Sequence, residues 1–209
     1  MRSKIGVINY ESGNTKSIVN ALEYLECNYI LSSRQEDLED CSHLILPGVG
    51  SYSYCMENLK KKNLLEVLNE LVLVKQKLFL GICVGMQLVT DKGLEFGEHR
   101  GLGWIRGTCE KLRPASGAPL RLPHVGWNEV TRGMEGFPLF AGFLDTPTFY
   151  FVHSYAIAPT ESVTRSVYCS YGTEFVAAIQ KENIFGVQFH PEKSQKDGLG
   201  VLKNFSQLA

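Results

Sequence analysis

The run Lys77-Leu78-Phe79-Leu80-Gly81-Ile82-Cys83-Val84-Gly85-Met86-Gln87 constrains this chain more than any other stretch. An apolar, strand-like segment breaks into a glycine-flanked turn and resumes as a helix-like segment. A residue at such an elbow is held in a strained backbone conformation with its side chain at the strand's end, and the flanking glycines let neighbouring backbone approach. A thiol at the first turn of a helix also meets the positive end of the helix dipole, which favours a reactive thiolate. Free cysteine is equally common as a small core side chain, so Cys83 stands between nucleophile and packed thiol until a base is found.

A strand that hands over to a helix implies a parallel sheet, and the first half of the chain repeats that grammar. Ile5-Gly6-Val7-Ile8 reads as a buried strand, and Thr15 to Glu26 carries Ile18, Val19, Leu22 and Leu25 at helical spacing. Tyr29-Ile30-Leu31 is a second strand, followed by a polar stretch. His43-Leu44-Ile45-Leu46 is a third, ending at Pro47-Gly48. Tyr54 to Val74 is a long amphipathic helical pattern with a break near Lys62, and Leu78 to Ile82 is the next strand. Such alternation predicts an α/β fold, with a central mostly parallel sheet flanked by helices and a ligand site beyond the carboxyl ends of its strands. From Gly93 onward glycine and proline are frequent, and short strand-like pieces at 149–152, 166–169 and 175–179 follow one another with few helical interludes, which predicts added antiparallel strands in the second half. Ile184 to Phe189 is a last strand before His190, and Leu199 to Leu208 a closing helix. The length of 209 residues, with no repeat, linker or low-complexity tract, predicts one domain over 1–209.

Composition narrows the function classes. A formal net charge of -1 argues against nucleic-acid binding, and Lys60-Lys61-Lys62 reads as the solvated face of a helix. Six cysteines, at positions 27, 41, 55, 83, 109 and 169, form no C-x-x-C pair or metal-ligand spacing, so no structural zinc is expected. The start, Met1-Arg2-Ser3-Lys4, lacks the apolar stretch of a secretory signal, and no segment has the roughly 18 uncharged apolar residues of a membrane span. A cytoplasmic protein with reduced thiols, bound to no membrane, is the expectation.

A thiol nucleophile needs a base, and the base an orienting group. His190-Pro191-Glu192 supplies both: in an extended segment residues two apart point to one side, so the carboxylate could hold one imidazole nitrogen and leave the other for Cys83. Acyl transfer also needs backbone N–H donors where negative charge develops. Pro47-Gly48-Val49-Gly50, after the third strand, could emerge on the same edge as Cys83; glycine-rich turns of this kind also bind phosphate or simply turn the chain.

Taken in order, Pro47-Gly48-Val49-Gly50, Gly81 to Gln87 and Gln188-Phe189-His190-Pro191-Glu192-Lys193-Ser194 resemble the motifs of the class I (triad) glutamine amidotransferases. Leu122-Pro123-His124-Val125-Gly126-Trp127-Asn128-Glu129-Val130 and Tyr150-Phe151-Val152-His153-Ser154-Tyr155 narrow the resemblance to the glutaminase subunits of imidazole glycerol phosphate synthases, over Ile5 to Phe205. The resemblance implies a class I glutamine amidotransferase-like fold. It also implies that Cys83 attacks the side-chain amide of glutamine, that His190 protonates the departing ammonia and that Glu192 orients His190. By the same resemblance Gly48, Val49, Gly50 and Val84 serve the oxyanion, while Gln87, His153, Ser154 and Tyr155 hold glutamine. Ammonia passes to a (β/α)8-barrel cyclase or synthase subunit in a heterodimer, which Trp127, Tyr150 and Lys193 contact. No cofactor or metal is implied.

Three departures are visible, one of them the stretch Lys92-Gly93-Leu94-Glu95-Phe96-Gly97-Glu98-His99-Arg100, which differs from the acidic, glutamate-rich segment of many members of the histidine pathway. Asn9-Tyr10-Glu11 stands where the family usually has Asp-Tyr-Gly, and Val84 where it has Leu. The apolar exchange at 84 leaves the chemistry in place; the start lies near the implied partner surface and bears on partner identity. Three other readings stay open on residues alone: a paralogous glutaminase serving nucleotide-sugar amidation for surface polysaccharides, a stand-alone Cys-His γ-glutamyl hydrolase, and a binding subunit in which Cys83 is merely packed.

Overall fold

The computed structural model of the chain describes residues 3–115, 119–161 and 165–209; Met1 and Arg2 of the start lie outside them. Four strands are buried along almost their whole length: β1 (Lys4–Ile8), β3 (His43–Gly48), β4 (Leu78–Cys83) and, far along the sequence, β13 (Ile184–Val187). Continuous burial is what a parallel sheet covered on both faces demands of its strands. With the edge strand β2 (Asn28–Ser32) they pair in parallel in the order β2-β1-β3-β4-β13.

Antiparallel strands extend that same sheet. β12 (Glu174–Lys181), β11 (Arg165–Ser170), β8 (His124–Arg132) and β9 (Thr148–His153) follow β13 to give nine strands. In β9 and β11 buried residues alternate with less buried ones, the period-two pattern of strands with one face on the core. A second sheet of four short strands, in the order β10-β7-β5-β6, comprises β5 (Thr90–Gly93), β6 (His99–Arg100), β7 (Ile105–Lys111) and β10 (Tyr155–Pro159).

Helix α1 (Thr15–Tyr24) buries Ile18, Ala21 and Leu22, as its spacing predicts, and closing helix α6 (Gln195–Ser206) buries Val201, Leu202 and Phe205. The polar stretch after β2 holds a short helix, α2 (Gln35–Glu39), whose single buried residue, Leu38, gives no periodic signal. The long amphipathic pattern divides into α3 (Tyr52–Lys61) and α4 (Leu64–Asn69), with Asn63 left-handed at φ 56° at the break. Lys61 and Lys62 lie exposed at the end of α3 and reach Glu57 and Glu11. All six cysteines are free thiols. Among the described residues no helix is long and apolar enough to cross a membrane.

Register places the chemistry. Gly48 at the end of β3 lies opposite Cys83 at the end of β4, and Val187 at the end of β13 lies opposite Ile82. Three segments distant in sequence therefore leave the sheet side by side at its carboxyl edge.

Candidate active site

Cys83 closes β4 and immediately precedes α5 (Val84–Gln87), at φ 55° and ψ -111°. A side chain with φ in this range is strained, and packing must hold it there. Three glycines provide the close packing. A Cβ on Gly85 would lie 2.0 Å from the Leu46 carbonyl oxygen, one on Gly81 would lie 2.5 Å from that of Gly85, and one on Gly48 would lie 2.5 Å from the Gly85 nitrogen. The backbones of β3, β4 and α5 thus touch directly, and only glycine permits it. Because α5 is a single turn, the dipole expected from a full helix is largely absent. The first turn of α5 receives no side-chain cap, and by helix geometry its N–H groups lack intrahelical partners.

His190 follows β13, and its Nδ1 lies 2.9 Å from Glu192 Oε1, with both side chains almost wholly buried. The segment is not extended as the dipeptide spacing suggested. Pro191 opens a 3-10 turn over Pro191–Lys193, for which its fixed φ is suited, and the turn still brings the two side chains together. The backbone of His190 is stitched to β9: its N–H donates to the Tyr150 carbonyl (2.9 Å), its carbonyl accepts from Ser194 Oγ (2.7 Å), and that hydroxyl oxygen accepts from the Tyr150 N–H. Burial pulls the His190 imidazole down, but hydrogen bonds to Cys83 and Glu192, and the negative charge of each, outweigh it and push it up to about 10. A proton therefore stays on His190 at neutral pH, beside the thiol.

Behind Pro47–Gly50 the loop after β1 holds two carbonyls. Tyr10 Oη donates to the Pro47 oxygen (2.6 Å) and Ser12 Oγ to the Val49 oxygen (2.8 Å), with Cys55 Sγ 3.1 Å from the Ser12 hydroxyl. A trans peptide directs its N–H opposite its carbonyl, so the Gly50 N–H points away from Ser12. Gly50 is exposed at φ 118° and lines a cavity of about 190 Å³ that also reaches Cys83, Val84, Gln87, His153, Ser154 and Tyr155. Eight of the eleven catalytic, oxyanion and binding residues expected from sequence therefore border one cavity or hydrogen-bond its thiol: those seven and His190. Glu192 stands behind His190, and Gly48 and Val49 lead into Gly50.

Gln87 is more constrained than expected. Its Nε2 donates to the Tyr155 carbonyl (2.9 Å) and to Gln188 Oε1 (3.0 Å), so its amide nitrogen is committed to the protein. Gln188 in turn points its Nε2 at Cys83 Sγ, 3.7 Å away. Sequence reasoning passed over Gln188 as a site residue although it stands within the His190 motif. It also missed Glu95, which lines the cavity while its Oε2 accepts the Tyr52 backbone N–H at 2.8 Å. A single acid in a glycine-bounded loop gives no spacing signal. His124 opens β8 and is fully buried.

Trp127 and Tyr150 pair across β8 and β9, their ring centroids 5.9 Å apart, and the Lys193 ammonium lies 5.8 Å from the Tyr150 centroid. Trp127 is 46% exposed, so the cluster is surface and not core. Among the described residues no group of three or more His, Cys, Asp or Glu side chains could hold a metal ion.

Comparison with known proteins matches residues 6–207 to the family model "Glutamine amidotransferase class-I". The chain is 40% identical over 213 residues to the imidazole glycerol phosphate synthase subunit HisH of Rhodospirillum rubrum, covering 99% of each chain. It is 42% identical over 204 residues to subunit HisH 1 of Campylobacter jejuni, covering 98% of this chain and 100% of that one. Among solved structures, a glutamine amidotransferase superposes with a TM-score of 0.74 at 16% identity, over 98% of this chain and 99% of the other, a likeness of fold.

Proposed function

The chain belongs to the class I glutamine amidotransferases, and from that premise we propose that it is the glutaminase subunit of an imidazole glycerol phosphate synthase, acting in histidine biosynthesis. The observation that carries the chemistry is the juxtaposition of Cys83 at a strained elbow with a buried His190–Glu192 pair.

In the reading this supports, Cys83 Sγ attacks the δ-carbonyl carbon of glutamine and the C–O π pair moves onto oxygen. That oxyanion is met by the N–H of Val84, which has no intrahelical partner, and by that of Gly50. His190 gives its proton to the departing nitrogen, the C–N bond breaks, and ammonia leaves a γ-glutamyl thioester. Water then attacks with His190 taking a proton, and glutamate departs as the thiol is restored. Glutamine and water become glutamate and ammonia. Glu192 holds His190 by Nδ1, so Nε2 faces the sulfur. Glu95 is suited to the α-ammonium of glutamine, and the His153–Ser154–Tyr155 wall to its other end. Trp127, Tyr150 and Lys193 would meet the (β/α)8-barrel subunit that receives the ammonia. The backbone bond between Tyr150 and His190 would link that surface to the site.

The test is glutamate release by the purified chain together with its barrel partner. Cys83→Ala is expected to abolish release while synthesis from added ammonia persists; retained glutaminase activity would refute the assignment. Turnover of γ-glutamyl peptides by the chain alone would favour a stand-alone hydrolase, and ammonia transfer to a nucleotide sugar the paralogous reading.

A further inference from the structure

The proposed chemistry gives His124 no task, yet it forms a buried pair with His153 of the proposed glutamine wall. They face each other in register across β8 and β9, with His124 Nδ1 3.2 Å from His153 Nε2. The remaining nitrogen of His153, Nδ1, lies 3.0 Å from the Tyr155 carbonyl oxygen, and that of His124, Nε2, lies 2.9 Å from Asn128 Oδ1. His124 has no solvent exposure and is stacked between the rings of Phe151 and Tyr171.

Counting protons decides what such a row can be. A carbonyl only accepts, so His153 must carry its proton on Nδ1 to meet Tyr155. In the neutral ring Nε2 is then a lone pair, which His124 must feed from its own Nδ1. His124 Nε2 becomes a lone pair in turn, and Asn128 feeds it by turning its amide to present NH2, which gives up the long 3.4 Å donation from Asn128 Nδ2 to the Ser170 carbonyl. With the Asn128 oxygen in that place, the two imidazoles would have to hold three protons and form a buried cation. Burial works against that cation. It takes His153 down to about 3, aided by the neighbouring charges of His124 and His190 against the Tyr155 bond, and it lowers His124 against the bond from Asn128. The ionisable groups that face the pair from other elements are His190, after β13, and Tyr171, after β11.

The row continues past Tyr155. That carbonyl accepts both His153 Nδ1–H and Gln87 Nε2–H, Gln87 also donates to Gln188, and Gln188 points at the sulfur of Cys83. We propose that His124 and Asn128 are positioning residues for glutamine hydrolysis, fixing one tautomer of His153 and through the Tyr155 carbonyl setting Gln87 and the substrate wall beside Cys83. This rests on the glutaminase reading for its kinetic arm but not for its tautomer arm.

The experiment uses the full chain labelled with ¹⁵N-histidine, and glutaminase assays of the same variants with the barrel partner. Long-range ¹H–¹⁵N spectra should show His124 and His153 both neutral and both protonated on Nδ1 from about pH 5.5 to 8. Asn128→Asp, whose carboxylate only accepts, should draw a third proton into the row, seen as an imidazolium signal that titrates within that range. His124→Leu should raise the KM for glutamine on the order of tenfold, the weight of one hydrogen bond, with a smaller change in kcat. His124→Asn, which keeps a donor near the Nδ1 position, should recover most of that loss, whereas a merely structural role would leave both variants alike. An Nε2–H tautomer at His153, or equal KM values for wild type, His124→Leu and His124→Asn, would overturn the proposal. Wild-type chain inactive on glutamine with the expected tautomers would instead refute the glutaminase reading.

Discussion

Replacing Glu192 by Gln keeps an acceptor for His190 Nδ1 and removes only the charge, so it isolates what the carboxylate does. His190 stands at about 10 against an ordinary 6.5, although burial alone would lower it. That rise corresponds to about 5 kcal/mol favouring the protonated form at 1.36 kcal/mol per unit. Cys83 and Glu192 contribute the same two kinds of support, a hydrogen bond and a negative charge, with Cys83 the larger of the two in each, so removing the Glu192 charge lowers the His190 pKa while leaving the support from Cys83. In the proposed mechanism protonated His190 is the form that donates to the leaving ammonia, so activity is expected to fall as pH rises through its pKa. The wild type should hold kcat/KM level between pH 7 and 9, whereas E192Q should begin to lose it at a lower pH, with each unit by which its His190 pKa falls moving the alkaline limb down by one pH unit. Comparing two pH values within one variant matters because the substitution carries a structural cost. Glu192 Oε2 is buried without a partner, and an NH2 in its place is an unsatisfied donor costing about 1–3 kcal/mol at every pH. The same linkage governs stability: the contribution of His190 is complete below pH 6.5 and is lost as pH climbs toward 10. Glutamate release measured from pH 6 to 10 with saturating partner decides the matter. Parallel profiles for wild type and E192Q would refute the claim that Glu192 keeps the proton on His190.

Gly85→Ala should cost about 3 kcal/mol or more in urea unfolding and most of the activity, because its Cβ would meet the Leu46 carbonyl at 2.0 Å and neither backbone is free to yield. Ser12→Ala releases the Val49 carbonyl, and should lower kcat about tenfold while glutamine KM and overall stability change little, as single-turnover and unfolding measurements would show. Glu95→Gln should raise the KM for glutamine about tenfold or more with kcat nearly retained, since it removes an ion pair formed equally in ground and transition states.

The parallel half of the sheet was legible because burial on both faces leaves uninterrupted apolar runs, as in His43–Leu46 and Leu78–Ile82. Strands β5, β7 and β10 were not, since their mixed residues, such as Ile105–Lys111, become a strand only when a partner such as Tyr155–Pro159 supplies the other half of the ladder. The proposed triad was legible for a different reason: Gly81, Gly85 and Pro191 are demanded by backbone geometry, so their spacing carries structural information before any chemistry is considered. Glu95 and Gln188 carry no such demand. Each acts through a contact between segments far apart in sequence, Glu95 with Tyr52 and Gln188 with Gln87 and Cys83.

The same distinction explains where the sensitive parts of the site lie. Cys83 ends β4, and Gly50 and His190 follow closely after β3 and β13, whose register is fixed by a buried sheet, so the proposed reacting groups have little freedom to misalign. The glutamine wall is built otherwise. His153, Ser154 and Tyr155 bridge the edge strand β9 of the large sheet and β10 of the small one. Side-chain hydrogen bonds from His124 and Gln87 tie that junction to the interior, and the exposed Trp127–Tyr150 pair lies on the same two strands, β8 and β9. Pressure on that surface would therefore act first on the proposed substrate wall and on the Tyr150 carbonyl that holds His190, and last on the elbow. A partner docking there would be expected to alter glutamine affinity and the placement of His190 while leaving the backbone of Cys83 unmoved.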